Sequence, residues 1–402
     1  MRAARPLAGA DRSCTLVPDG PVLPEGTGDL GRLHCWGDGD TRARPRPEVS
    51  PELLRELAVG NPSCAVQESS GRLVCWGANE SGQLGDGTRE TRLRATRVTD
   101  VGVPLRRPRV ARFGERGFAC AIDDEGGLRC WGAGERGQLG DGVRRDRLVP
   151  ELVRPFEAEG EAPVPIAGES LALGAAHACA LLDGNAGLVC WGANDQGQLG
   201  DGTFTDREVP TRVRLPGLDD AGRLVPAEGG VAPVEVYAVA LGRAHSCAVV
   251  GRPADGRPAP GGVLCWGDDG LGQLGDGTPG PPERSPRFVR GLEVGGELGA
   301  AALELRLALG QDHGCVTAAR GGTDAAAELW CWGASAAQQT GLALGAPPPT
   351  GAVRVAVPNG LGVRGAPSLG RSHGCVVLEG IDDEGAFLPG GERRFGCWGG
   401  NA

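Results

Sequence analysis

The string GQLGDG occurs four times, always at the same distance after CWG: CWGANESGQLGDGT from Cys75, CWGAGERGQLGDGV from Cys130, CWGANDQGQLGDGT from Cys190 and CWGDDGLGQLGDGT from Cys265. A catalytic signature normally occurs once. A string that returns at intervals marks supersecondary units stacked on one another. CWG itself starts at Cys35, Cys75, Cys130, Cys190, Cys265, Cys331 and Cys397, and each copy has one earlier cysteine: Cys14, Cys64, Cys120, Cys179, Cys247, Cys315 and Cys375. Seven pairs use all 14 cysteines, and 402 residues divide into seven units of about 57.

An apolar run ending in glycine precedes the first cysteine of most units, as in SLALGAAHAC and RLALGQDHGC. Gly9, Gly174, Gly242, Gly310 and Gly370 each stand five residues before that cysteine. The unit reads as strand, glycine turn, cysteine strand, turn, CWG strand and glycine-rich loop. A proline-containing segment such as REVPTRVRL (Arg207 to Leu215) adds an outer strand, where proline does least harm. The 71 Gly and 31 Pro argue for many short strands and tight turns. Four short strands per unit fit a propeller blade, and no helical period is present. The predicted fold is all-β, a seven-bladed β-propeller of four-stranded antiparallel blades with one disulfide in each. It forms one domain over residues 1–402, with units 1–47, 48–103, 104–163, 164–230, 231–299, 300–358 and 359–402.

Alternation along LVCWG puts Val74 and Trp76 on one face and Leu73 and Cys75 on the other. Both faces of a blade pack on neighbours, so Trp36, Trp76, Trp131, Trp191, Trp266, Trp332 and Trp398 are predicted to pack between blades. The alternative is an aromatic platform for a ligand. Counting outward from a Gly184-Asn185 turn sets Cys179 opposite Cys190. Cys64 meets Cys75 around Ser69-Ser70, and Cys120 meets Cys130 around a three-residue loop. Residues opposed in this way lie within disulfide reach. Seven bridges within blades are therefore predicted, including Cys14–Cys35, Cys247–Cys265, Cys315–Cys331 and Cys375–Cys397; the alternative is paired thiols packed as small hydrophobes.

Other chemistry is weakly represented. His177, His245, His313 and His373 stand two residues before a cysteine, but the other units carry Arg12, Pro62 and Phe118 there. That argues for structural hydrogen bonding over zinc. GQLGDGT lacks the lysine of a phosphate loop, and Asp86, Asp141, Asp201 and Asp276 sit in Asp-Gly turn pairs. No catalytic, metal or cofactor residue is assigned. All basic residues are arginine, and a net charge of −10 with interspersed signs argues against general affinity for nucleic acid or anionic membranes. No apolar run is long enough to cross a membrane as a helix.

The unit G…HxC…CWGxNxxGQLGDGT…P resembles the repeat of the regulator of chromosome condensation family, whose members form seven-bladed propellers. The resemblance covers essentially the whole chain. It is weaker in unit one (CWGDGDTRARP), unit six (CWGASAAQQTGLA) and unit seven (CWGGNA). It implies a non-enzymatic interaction scaffold. The family's namesake is a nucleotide exchange factor for a small GTPase that docks on chromatin. The same repeat is similar to that of secreted bacterial propellers, including β-lactamase inhibitors that bind an enzyme through one propeller face.

The expected function is thus protein binding, without catalysis, by a monomer that uses loops on a propeller face. The favoured loops are the length-variable segments Pro216 to Pro233, Gly251 to Gly262, Ala318 to Glu328 and Glu379 to Glu392. Competing readings are a guanine-nucleotide exchange factor-like regulator of a small GTPase and a propeller hydrolase or lyase with a central-channel site. Seven disulfides imply an oxidising compartment, extracellular or at a bacterial cell surface. The start MRAARPLAGADRSC shows no apolar signal run. Either a leader lies upstream of this sequence or the chain is cytoplasmic with reduced thiols. Intact mass after alkylation under denaturing, non-reducing conditions separates the two: no added groups are expected, and fourteen would place the chain in a reducing compartment.

Overall fold

The computed structural model describes residues 7–8, 12–17, 32–37, 46–47, 54–58, 62–67, 70–99, 105, 110–122, 127–156, 170–183, 187–218, 224–225, 233–251, 260–277, 279–293, 303–320, 326–342, 347–382, 386–388 and 393–400. Side chains are described from residue 62 onward, apart from 110–113, 260–261, 303 and 320. The side chains of Cys14, Cys35 and Trp36 therefore lie outside the described set. So do Gly9 and parts of the four length-variable segments.

Every described element is a strand, and six sheets have four strands each. They are β1 (Leu7–Ala8), β2 (Arg12–Val17), β3 (Arg32–Gly37) and β4 (Arg46–Pro47); β5 (Leu54–Ala58), β6 (Ser63–Gln67), β7 (Leu73–Gly77) and β8 (Arg92–Arg97); β9 (Val110–Gly114), β10 (Phe118–Ile122), β11 (Leu128–Gly132) and β12 (Arg147–Leu152); β13 (Ala172–Leu173), β14 (His177–Leu181), β15 (Leu188–Gly192) and β16 (Arg207–Arg212). The hairpin β17 (Gly217–Leu218) and β18 (Leu224–Val225) follows. Then come β19 (Glu235–Leu241), β20 (His245–Gly251), β21 (Pro260–Gly267) and β22 (Glu283–Phe288), and β23 (Leu303–Leu309), β24 (His313–Arg320), β25 (Glu328–Gly333) and β26 (Val353–Arg354). The last sheet has three strands, β27 (Leu361–Leu369), β28 (His373–Gly380) and β29 (Arg393–Gly399), one fewer than the general four-stranded blade plan. The two-stranded β17–β18 hairpin was not anticipated.

Each sheet is a meander, with consecutive strands paired. The chain divides into two compact units, one of residues 1–184, 191–193 and 206–211, the other of residues 185–190, 194–205 and 212–402. In the first unit β9 neighbours β5 and β13; in the second β23 neighbours β19 and β27. The opening strands of successive sheets thus lie side by side.

Cysteine register follows from the hairpins. Cα partners include Cys14 with Cys35, Cys64 with Cys75, Cys120 with Cys130, Cys247 with Cys265, Cys315 with Cys331 and Cys375 with Cys397. The last five pairs are disulfides, each with 4.1 Å between Cα atoms. Cys179 and Cys190 are also disulfide-bonded.

The tryptophans join successive sheets. In the first unit, Cys64, Val66, Leu73, Cys75, Leu84 and Val98 form one cluster with Ala119, Ala121 and Trp131 of the next sheet. In the second, Cys247, Val263 and Cys265 cluster with Val316, Ala318 and Trp332. A buried indole must still satisfy its N–H. Nε1 of Trp131, Trp191, Trp266, Trp332 and Trp398 donates to the backbone oxygen of Gln83, Gln138, Gln198, Gln273 and Gln339, at 2.9, 3.0, 2.9, 3.0 and 2.7 Å respectively. The glutamine belongs to the GQLGDG loop of the preceding sheet, or to its AQQTGL counterpart. Its side-chain oxygen accepts the N–H two residues earlier, as from Gln196 to Gln198 at 2.8 Å, and so holds the carbonyl in place.

The glycine two residues after each glutamine is required by the same contact. Gly200 has φ +64°, and a Cβ there would lie 2.8 Å from Trp266 Nε1 and 3.0 Å from Val213 Cγ1. Gly200→Ala would meet both the left-handed backbone and the indole. It is expected to destabilise by about 2 kcal/mol or more, and Trp266→Ala by about 3–5 kcal/mol. Chemical denaturation of each variant measures this.

Candidate functional site

A four-stranded meander has two ends. The first-to-second turn and the third-to-fourth loop share one, here the loop end. The second-to-third hairpin and the connections to neighbouring sheets share the other, the hairpin end. The recurrent motif lies entirely at the loop end, where its polar residues hold the loop together. Nδ2 of Asn79 donates to Asp86 Oδ1 at 3.2 Å and to the carbonyls of Thr88 and Glu90 at 3.1 Å each; its Oδ1 accepts the Leu84 N–H at 2.9 Å. Asn194 does the same with Asp201, Thr203, Thr205 and Leu199. Asp86 is bonded in turn by Arg92 Nε at 2.9 Å. Burial alone would raise its pKa, but the hydrogen bonds from Thr88, Arg92 and Asn79 prevail and hold it below the ordinary value. These aspartates therefore bind their own loops.

The fifth unit breaks this pattern. Asp269 stands where Asn79 and Asn194 stand, is 3% exposed, and accepts the Leu274 N–H at 3.1 Å. Ionised, it has no hydrogen to give to Asp276, the counterpart of Asp86. Burial raises its pKa to about 6, against the bond from Leu274 and with help from the charges of Asp276 and Asp268. The departure was legible as CWGDD against CWGAN; its consequence needed the loop geometry.

The histidines are packing groups. His177, His245 and His313 are fully buried. A Cβ on Gly242 or Gly310 would lie 2.1 Å from Cε1 of His245 or His313, and one on Gly114 would lie 1.8 Å from Cε1 of Phe118. Each ring covers the glycine of its own turn, and phenylalanine fills the place equally well. Both ring nitrogens of His313 lack a hydrogen bond, in place of the bonding expected, and burial with the nearby His373 lowers its pKa to about 4. No group of three or more His, Cys, Asp or Glu among the described residues is placed to hold a metal.

The hairpin end is irregular. Gly251 to Gly262, Ala318 to Glu328 and Glu379 to Glu392 are second-to-third hairpins, and Pro216 to Pro233 is a connection between sheets, so all four variable segments emerge there. A cavity of about 610 Å³ lies between the sixth and seventh sheets, lined by residues including Glu328, Arg354, Val355, Val357, Val363 and Ile381. Two variable segments border it: Ala327 N–H bonds to Val363 O and Ile381 N–H to Gly360 O, both at 3.0 Å. At the rim Arg354 pairs with Glu328 at 3.3 Å. Further along, the buried Glu379 accepts from Arg364 at 3.0 Å and from Arg393 at 2.9 Å, while Arg364 lies 4.6 Å from the centroid of the Phe387 ring. The cavity left no mark in the sequence.

Residues 125–181 and 187–249 match the profile of the regulator of chromosome condensation (RCC1) repeat, and residues 169–198 match a second profile of that repeat. The chain carries RCC1 repeats. Among curated relatives, the human E3 ubiquitin-protein ligase HERC2 is 29% identical over 288 residues, 71% of this chain and 5% of that protein. The ultraviolet-B receptor UVR8 of Arabidopsis thaliana is 32% identical over 223 residues, 52% of this chain and 46% of that protein. The chain thus spans less than half the length of these relatives. Among solved structures, human WBSCR16 superposes with a TM-score of 0.66 at 18% identity, covering 94% of this chain and 86% of the other. Prp20p of Saccharomyces cerevisiae, described with its binding to Gsp1p and histones, gives 0.64 at 18% identity, covering 94% and 82%. At this identity the likeness shows the fold alone, an RCC1-type β-propeller.

Asp269 gives a pH test. Its native pKa of about 6 lies above the unfolded value of 3.8, so the native state holds the proton more tightly. Its contribution to stability is greatest below about pH 4 and falls as pH rises through 6, by at most about 3 kcal/mol. Asp269→Asn, which restores the asparagine of the sister repeats, is expected to raise the unfolding midpoint at pH 7 and to flatten its dependence between pH 4 and 6. An unchanged pH profile would remove Asp269 as its source.

Proposed function

We propose that this chain is a non-enzymatic protein-binding scaffold that engages its partner through the hairpin end. The observation that carries the reading is the coincidence of all four length-variable segments at that end, two of them beside the cavity, while the recurrent residues at the loop end are engaged in holding sheets and loops together. On a rigid repeated framework, the irregular loops are where recognition resides. The reading takes residues 1–402 as one seven-bladed domain, stapled by its cysteine pairs and packed through its tryptophans, and acting as a monomer. The buried disulfides support an oxidising, extracellular or cell-surface setting.

A second reading is favoured by one comparison: Prp20p, which shares the fold, is described with its binding to Gsp1p. On that reading the chain promotes nucleotide release from a small GTPase in a reducing compartment.

The test shortens the hairpins. Replacing residues 252–259 or 321–325 by the Gly-Asn pair of the fourth unit removes hairpin tips and leaves the sheets. Chemical cross-linking on the producing cells is expected to lose the partners seen with the intact chain, while the unfolding midpoint moves by only a few degrees. Cross-linking that survives all the shortened tips would exclude this face. Stimulated release of labelled GDP from a small GTPase would put the second reading first.

A further inference from the structure

We propose that His313 is an acid latch on the joint between the sixth and seventh sheets: neutral, its ring closes the joint, and protonated, it drives the two first-to-second turns apart. Such a latch goes beyond the binding reading above and operates whatever the partner.

The ring sits where two turns meet. Gly310 to Asp312 joins β23 to β24, and Gly370 to Ser372 joins β27 to β28. A Cβ on Gly310 would lie 2.1 Å from His313 Cε1 and 2.6 Å from the Gly370 carbonyl oxygen. The glycine is thus clamped between the ring and the turn of the next sheet. Gly242 is held in the same way between His245 and the Gly310 carbonyl oxygen, 2.1 and 2.8 Å from the place of its Cβ. Two further bonds cross the joint: Trp398 Nε1 to Gln339 O at 2.7 Å, and Thr317 Oγ1 to Gly365 O at 2.9 Å.

A neutral imidazole fits this site and an imidazolium does not. His313 is fully buried, and neither ring nitrogen has a hydrogen-bond partner. Protonated, the ring would hold two N–H groups and a charge away from water with no acceptor. The charged groups on the surrounding turns supply none. Asp312 on its own turn and Asp268 of the fifth sheet are both engaged by Arg243, at 3.0 and 3.5 Å. Arg371 of the seventh sheet donates to Gln311 Oε1 at 2.9 Å. The other titratable neighbours are histidines, the fully buried His245 and the partly buried His373. Burial, and then the charge of His373, lower the His313 pKa from 6.5 to about 4. The native site therefore binds a proton roughly 300-fold more weakly than an ordinary imidazole. With the native value below the unfolded one, the contribution of His313 to the closed joint is complete above pH 6.5 and is lost as pH falls to about 4. The sign is opposite to that of Asp269.

The third sheet supplies an internal control. Phe118 covers Gly114 as His313 covers Gly310, and Trp191 Nε1 bonds to Gln138 O at 3.0 Å across the joint to the fourth sheet. That joint is closed by a ring that cannot take a proton.

The test uses the full, disulfide-bonded chain carrying Asp269→Asn, which removes the carboxylate that titrates over the same range. Nuclear magnetic resonance of carbon-13-labelled histidine follows the His313 ring directly. Hydrogen exchange at the indole N–H groups of Trp398 and Trp191, each referred to a free indole at the same pH, reads the two joints. Between pH 6.5 and 4, His313 is expected to titrate well below 6.5, and Trp398 exchange to rise roughly tenfold or more while Trp191 exchange stays level. His313→Phe, which copies the third sheet, is expected to fold and to abolish the rise. The comparison of Trp398 with Trp191 needs no substitution at 313, so it decides the matter even if that variant does not fold.

A His313 that titrates at 6.5 or above, a Trp398 rise matched by Trp191, or a rise that persists in His313→Phe would each overturn the latch. Slower Trp398 exchange in acid would do the same, because the protonated ring would then be tightening the joint.

Discussion

One hydrogen bond recurs through the chain and the rest of the repeat is arranged around it. A tryptophan at the end of one sheet's third strand donates its indole N–H to a glutamine carbonyl in the loop of the sheet before. To present that carbonyl the loop must turn sharply, which explains its glycines. To hold it still, the glutamine side chain folds back on its own loop. To let the indole approach, the next glycine must lack a side chain. The sequence GQLG is the imprint of these demands, and its recurrence reflects a joint made repeatedly between sheets.

The strand plan was readable because alternation, hairpin length and paired cysteines gave consistent registers; Cys64 with Cys75 and Cys120 with Cys130 could be counted outward from their turns. The glutamine's part was not readable, since a backbone carbonyl leaves no trace in residue identity. Nor was the packing of His313 over Gly310, although Phe118 at the same place in another unit pointed away from a metal. The cavity beside Val355 was hidden for a different reason. It lies between two sheets and is lined by residues 326–329, 354–363 and 381, which are far apart in sequence and whose approach no local pattern records.

The two ends of the sheets answer to different constraints. At the loop end, Asn79 and Asn194 and the looped glutamines have partners fixed by the repeat, so substitution there disturbs the joint, and Asp269 shows what one changed atom does. At the hairpin end, the segments have few such obligations, and their lengths and charges differ from unit to unit. An architecture divided in this way can change what it binds without altering how it holds together.

The disulfides have a consequence for biogenesis. Those between Cys64 and Cys75, Cys120 and Cys130, Cys247 and Cys265, Cys315 and Cys331, and Cys375 and Cys397 span only 10 to 22 residues. As the chain emerges from a ribosome or an export channel, each cysteine meets its mate before the next pair has appeared. Local closure is also faster than distant pairing. A protein with fourteen cysteines faces an enormous number of wrong pairings if oxidised all at once. Vectorial emergence reduces that to one choice at a time, so the order of the cysteines along the chain guides correct oxidation.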